Sequence, residues 1–163
     1  MKGMTLIVKT VTRWVKGFIF LFGLYIILFG HLTPGGGFAG GVILACSYIL
    51  LTLAYSKEVA HRSLSRAVAS ELDSVGALIF LSIALLGIYF GGGFFVNFIH
   101  RLSPGEPFRF LSAGIIPLCN VAIGIKVGSS LFMIFVILSA MRVIVRKSDN
   151  GREIIDNRRK HPR

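Results

Sequence analysis

The sequence predicts an all-α membrane protein, a bundle of about four transmembrane helices with both termini in the cytoplasm. Three observations lead there. Hydrophobic residues make up 54% of the 163 positions, with 14 phenylalanines among them, which is more apolar surface than a soluble domain of this length can bury. Four windows, residues 14–32, 34–55, 72–95 and 118–145, approach the roughly 20 residues that a helix needs to cross a hydrocarbon core about 30 Å thick. Most basic residues fall in three regions that share one side of a four-span chain: Lys2, Lys9, Arg13 and Lys16; Lys57, Arg62 and Arg66; and the eight from Arg142 onward, while the connections on the other side hold only Arg101 and Arg109. By the positive-inside bias that side is cytoplasmic. The expected organisation is a single transmembrane domain over residues 1–145 and a basic cytoplasmic tail over 146–163, in a multi-pass protein of the cell membrane.

The first apolar run follows basic residues as a secretory signal would, but it is long for such a segment and a second span follows almost at once, so a retained helix is expected. Trp14, between Arg13 and Lys16, marks its inner interface. Only a few residues separate the first two spans. Thr33 is expected to cap the second helix through its hydroxyl, Pro34 to occupy the first helical position, and Gly35, Gly36 and Gly37 to permit the tight backbone. Glycine continues at Gly40 and Gly41, where each costs about 1 kcal/mol relative to alanine in a helix. Something must be gained in return. The pairs Gly36/Gly40 and Gly37/Gly41 are two overlapping GxxxG patterns, which predict a face for close helix packing.

The segment SKEVAHRSLSRAVASELDS, residues 56–74, carries apolar residues among charged ones and is expected to form a short interfacial helix. The third span ends in Gly91, Gly92 and Gly93. Beyond it, residues 97–120 are too apolar for a free loop and too rich in Pro and Gly for a spanning helix, so they are expected to fold back against the bundle. The fourth span contains Lys126.

Several function classes drop out. A formal net charge of +11 invites a nucleic-acid reading, but no aromatic residue interleaves the charges of the tail. Cys46 and Cys119 lie far apart and offer neither a disulfide framework nor metal-ligand spacing. The stretch GGGFAGG lacks the Lys-Ser/Thr and the preceding strand of a phosphate-binding loop. No Ser/His/Asp or Cys/His arrangement has workable spacing, so the chain is not expected to be an enzyme by itself, to carry a cofactor or to hold a metal.

Two candidates for an ion or proton path remain. Lys126 is the one formal charge expected deep within a span, and an ionisable residue there is a functional candidate. It lies 16 residues before Arg142, about 24 Å along a helix, so it can equally snorkel toward the outer surface or pair structurally. His31 titrates near neutral pH beside the first turn, and can relay protons or simply bond a neighbouring carbonyl. The seven acidic residues, Glu58, Glu71, Asp73, Glu106, Asp149, Glu153 and Asp156, are read as lying in connections or the tail. On that reading a carboxylate facing Lys126, or one that binds sodium, has to come from another subunit.

The run Gly30-His31-Leu32-Thr33-Pro34-Gly35-Gly36-Gly37-Phe38-Ala39-Gly40-Gly41-Val42-Ile43 closely resembles the signature of the MnhB/MrpB-type subunit of multisubunit sodium/proton antiporters. Asn120-Val121-Ala122-Ile123-Gly124-Ile125-Lys126-Val127-Gly128 resembles the same family's N-x-x-x-G-x-K/E-V-G stretch. The resemblance implies an accessory subunit that helps line or assemble a cation/proton path. It implies Na+ and H+ as the transported ions and other membrane subunits as partners, in a free-standing antiporter or in a membrane-bound hydrogenase or sulfur-reducing complex. It also places Lys126, His31, Asn120, Gly124 and Gly128 at motif positions. A purely structural subunit is the alternative, and a self-contained homo-oligomeric carrier is disfavoured by the expected lack of intramembrane acids.

Overall fold

Four long apolar helices dominate the described residues. The computed structural model describes residues 4–55, 64–102, 113–140, 143–148 and 151–156. In chain order these give α1 (Leu6–Leu28), α2 (Gly36–Tyr55), α3 (Arg66–Gly91), the short α4 (Phe98–Leu102), α5 (Ile116–Ala140), β1 (Val143–Ser148) and β2 (Gly151–Asp156). α1, α2, α3 and α5 are each long and apolar enough to cross a membrane. The protein is therefore a multi-pass, all-α membrane protein, with one small hairpin added near its C-terminal end.

Residues 1–133 and 134–163 are two compact units. In the first, α1 and α2 pack as an antiparallel pair. At one end, the Tyr55 hydroxyl donates to the Lys9 carbonyl at 2.8 Å. Midway, the Lys16 ammonium lies 5.0 Å from the centre of the Tyr48 ring, with Phe20 edge-on to the same ring at 6.3 Å. A lysine near the middle of a spanning helix thus rests on an aromatic face. At the other end a Cβ on Gly23 would lie 3.2 Å from the Gly40 carbonyl, so the two backbones meet where both residues lack side chains.

α1 begins eight residues ahead of Trp14, because backbone hydrogen bonding continues through Lys9 and Arg13 regardless of where the apolar window starts. α3 likewise begins at Arg66. The Ser65 side chain accepts from the Val68 N–H at 3.2 Å, an N-cap that starts the helix ahead of the apolar run. No glycine or proline interrupts the chain between Arg66 and Val75, so residues 66–74 are the first turns of the span and not the separate interfacial helix that the sequence predicts. The other half of that expected helix, residues 56–63, lies outside the described residues.

Beyond α3 the chain folds back. Gly92 ends the helix in the left-handed region at φ 74°, and Phe95, at φ 63°, donates its N–H to the Ala84 carbonyl at 3.2 Å. Gly87 makes room for this return, since a Cβ there would lie 2.8 Å from the Val96 nitrogen. Asn97 then ties the two sides of the outer segment together. Its Nδ2 donates to Ala113 at 2.9 Å, and its Oδ1 accepts from Ile115 at 3.1 Å and His100 at 3.2 Å. Phe98 and Ile99 pack with Phe80 against a buried cluster of Ile83, Ile115 and Cys119.

In the second unit, α5 stops at Ala140, five residues short of the expected end of the fourth span. β1 and β2 then pair antiparallel from Val143 with Asp156 to Ser148 with Gly151. The two residues between the strands, Asp149 and Asn150, are of turn-forming types and precede a glycine. The sequence instead predicts the fourth span over residues 143–145 and a basic tail, with no element, beyond them.

Candidate functional site

The glycine junction and α5 form one structure. α1 closes with the Thr33 hydroxyl donating to the Phe29 carbonyl at 3.0 Å. Thr33 therefore finishes α1 and does not cap α2, contrary to the sequence expectation. The reason lies two residues on. Gly35 and Gly36 adopt φ of 114° and 56°, a left-handed turn open to glycine at little cost, and α2 starts only at Gly36. Pro34 is accordingly an exposed turn residue ahead of the helix, and not its first residue.

The cap on α2 comes from 83 residues away. The Asn120 side chain enters the junction from α5, and its Oδ1 accepts from the Gly37 N–H at 3.2 Å. Asn120 is only 9% exposed, and its Nδ2 has no hydrogen-bond partner among the described residues. Glycine is required around it: a Cβ on Gly30 would lie 2.8 Å from that Nδ2, and one on Gly37 would collide with the Asn120 backbone. Farther along, Gly41 faces Gly124, Val127 and Gly128, while Gly40 faces Gly23 and Ile27. Gly124 receives the Ile27 side chain. Gly36, Gly37 and Gly41 thus turn to α5, and Gly40 to α1. Asn120→Leu keeps the branched outline of the side chain but strands the buried Gly37 N–H, a cost of about 1–3 kcal/mol. Lower thermal stability of the purified protein is the expected reading, and an unchanged melting point would mean that Gly37 finds another acceptor.

A second polar cluster lies on another face of α5. The Lys126 ammonium is 2.8 Å from Asp73 Oδ1, and the Ser130 hydroxyl donates to the same oxygen. Lys126 and Ser130 are one turn apart on α5, and Asp73 comes from α3, which runs antiparallel beside it. Gly76 allows the close approach: a Cβ there would lie 2.9 Å from both the Ala122 carbonyl and the Lys126 nitrogen. Lys126 lies ten residues inside α5, about 15 Å from its start. Asp73 lies seven residues inside α3, about 10 Å from its start. The pair is therefore well inside the spanning helices, with side-chain exposures of 47% for Lys126 and 27% for Asp73.

This corrects the reading that every acid lies in a connection and that the carboxylate facing Lys126 must come from another subunit. Asp73 falls at the edge of the third apolar window, but α3 starts seven residues earlier and carries it into the span. The signal was a lysine in one span and an acid near the edge of an antiparallel neighbour. His31 is half-buried in the turn between α1 and α2, at the Asn120 end of the molecule. Asn120 and Lys126 are six residues apart, about 9 Å along α5 and on different faces, so the two path candidates, His31 and Lys126, belong to separate clusters.

Residues 7–133 match the family model described as a domain related to the MnhB subunit of Na+/H+ antiporters. The chain belongs to this MnhB-related family. The matched range includes both clusters and leaves out the β-hairpin. Among relatives, an uncharacterized protein of Methanocaldococcus jannaschii is 33% identical over 142 residues, covering 82% of this chain and 52% of its own length. A Staphylococcus haemolyticus protein that carries the name antiporter subunit mnhB2 is 35% identical over 109 residues, 65% of this chain and 77% of that one. A solved chain from the membrane-bound sulfane sulfur reductase, an archaeal respiratory membrane complex, superposes with a TM-score of 0.65 at 31% identity. That match covers 82% of this chain and 60% of the other. This MnhB-related chain thus spans about half of the Methanocaldococcus relative and under two thirds of the solved chain.

Proposed function

We propose that the chain is an accessory integral-membrane subunit of a multisubunit Na+/H+ antiporter module in the cell membrane, with both termini cytoplasmic. In this reading it works beside other membrane subunits and helps line or assemble the path for Na+ and H+. The observation that carries it is the Lys126–Asp73 pair, with the Lys126 side chain 47% exposed on the side of a spanning bundle. An ionisable group turned to hydrocarbon costs about 2.5–3.5 kcal/mol even on the lenient insertion scale. A neighbouring subunit or a water-filled path on that face removes the cost. The name of the Staphylococcus relative favours an antiporter module, and the solved neighbour's title favours a respiratory complex as a second setting for the same module.

The test is purification of the tagged chain under mild detergent from its native membrane, together with ion exchange in vesicles. Other membrane chains are expected to co-purify, while liposomes holding this chain alone show no coupled Na+/H+ exchange. Lys126→Ala is expected to impair exchange far more than assembly. An intact Lys126→Ala complex with normal exchange would leave only the structural role, and coupled flux from the chain alone would overturn the subunit reading.

A further inference from the structure

We propose that Asp73 and Ser130 form a monovalent-cation site whose resident occupant is the Lys126 ammonium, so that an alkali cation reaches Asp73 only by displacing Lys126. The proposal rests on the antiporter-subunit reading and adds to it where a transported cation binds on this chain.

The two oxygens are held rigidly and the cation is not. Gly76 brings the α3 backbone against the backbone of α5 at Ala122 and Lys126, which fixes Asp73 over the α5 turn that carries Ser130. The Ser130 hydroxyl donates to Asp73 Oδ1 and keeps its own lone pairs for a cation. Lys126, by contrast, presents a point charge on a flexible four-carbon stem, and nearly half of its side chain is exposed. Its ammonium can leave the carboxylate without any movement of a helix.

The charge sets the class of ligand. A single carboxylate balances one positive charge, and the described residues contain no group of three or more His, Cys, Asp or Glu that could hold a metal ion. A divalent ion here would leave an uncompensated charge within the spanning helices. A monovalent cation replacing the ammonium keeps the carboxylate neutralised, while the displaced Lys126 turns toward the exposed side. Asp73 is itself 27% exposed, so the carboxylate is reachable from that face.

The test uses the assembled complex in everted vesicles and measures exchange against Na+ concentration. An opposite charge at hydrogen-bond distance changes a carboxylate's affinity for a second cation by about tenfold or more. Lys126→Met removes the tethered competitor and is expected to lower KM for Na+ by about that factor. Asp73→Asn is expected to raise KM or abolish exchange, and Ser130→Ala, which keeps both charges, to raise KM severalfold. A mere clamp between α3 and α5 is broken equally from either side, so KM shifts of the same sign for Lys126→Met and Asp73→Asn would overturn the site. An unchanged KM in Lys126→Met would do the same. Should Lys126→Met fail to assemble, Ser130→Ala decides, and an unchanged KM there also overturns the site. A lowered maximal rate with unchanged KM sinks the cation site alone, whereas wild-type rate and KM in both charge variants also remove this chain from the path.

Discussion

Gly41→Leu is expected to abolish accumulation of the folded chain. The Cβ alone would lie 2.9 Å from the Gly124 carbonyl oxygen and 3.2 Å from the Gly128 nitrogen, with Val127 Cβ also at 2.9 Å. Two of these three neighbours are backbone atoms of α5, which cannot rotate aside as a side chain can. α2 and α5 would have to separate, and separation also breaks the Gly37–Asn120 hydrogen bond, four residues away along α2. Even Gly41→Ala falls in the overpacking range of about 1–3 kcal/mol, and leucine adds three more carbons at the same point. Gly17→Leu is the matched control. Nothing lies within 4 Å of a Cβ there, and leucine favours a helix over glycine by close to 1 kcal/mol, so that variant should accumulate normally. Size-exclusion profiles and thermal unfolding of the two variants read the contrast directly. Equal behaviour of both would mean that the α2–α5 contact does not hold the fold.

The four helices were legible because a chain in lipid must satisfy its backbone within long apolar segments, and such segments are visible as runs. Helix ends were less so. Apolar windows locate the part of a helix that suits hydrocarbon, whereas α1 and α3 extend past theirs through Lys9 and Arg66, where hydrogen bonding and the Ser65 cap decide. The same difference hid Asp73. Judged by the window it stood at an edge, and only the earlier start of α3 carries it to the level of Lys126. The glycine junction was legible as a place of close packing, since the six glycines from Gly30 to Gly41 have a conformational cost that some contact must offset. Which contact was not legible. Thr33 sits where a local cap would sit, and local rules assign it that task. The residue that caps α2 is Asn120, and a pairing across 83 residues leaves no periodic trace in a single sequence. That the two motif stretches of the MnhB-related family touch each other follows from this bond and the Gly41–Gly124 contact together.

Charge reversal separates an ion pair within the chain from one made with a partner. Asp73→Lys alone places a second ammonium beside Lys126, where the present Nζ to Oδ1 distance is 2.8 Å. Like charges about 4 Å apart repel by about 4 kcal/mol at an effective dielectric of about 20, a figure that partial exposure of the pair lowers. The lost attraction adds to that repulsion, and the expected result is loss of the folded protein from the membrane. Lys126→Asp alone should fail similarly, with two carboxylates facing each other. The double variant Asp73→Lys/Lys126→Asp restores one charge of each sign across the same α3–α5 contact, and Ser130 remains one turn from the new carboxylate on α5. Recovery of most of the lost stability in the double variant, read as protein level and melting temperature, is expected. Were Lys126 instead held by a carboxylate of another subunit, the swap would set two acids against each other at that interface and recovery would not occur.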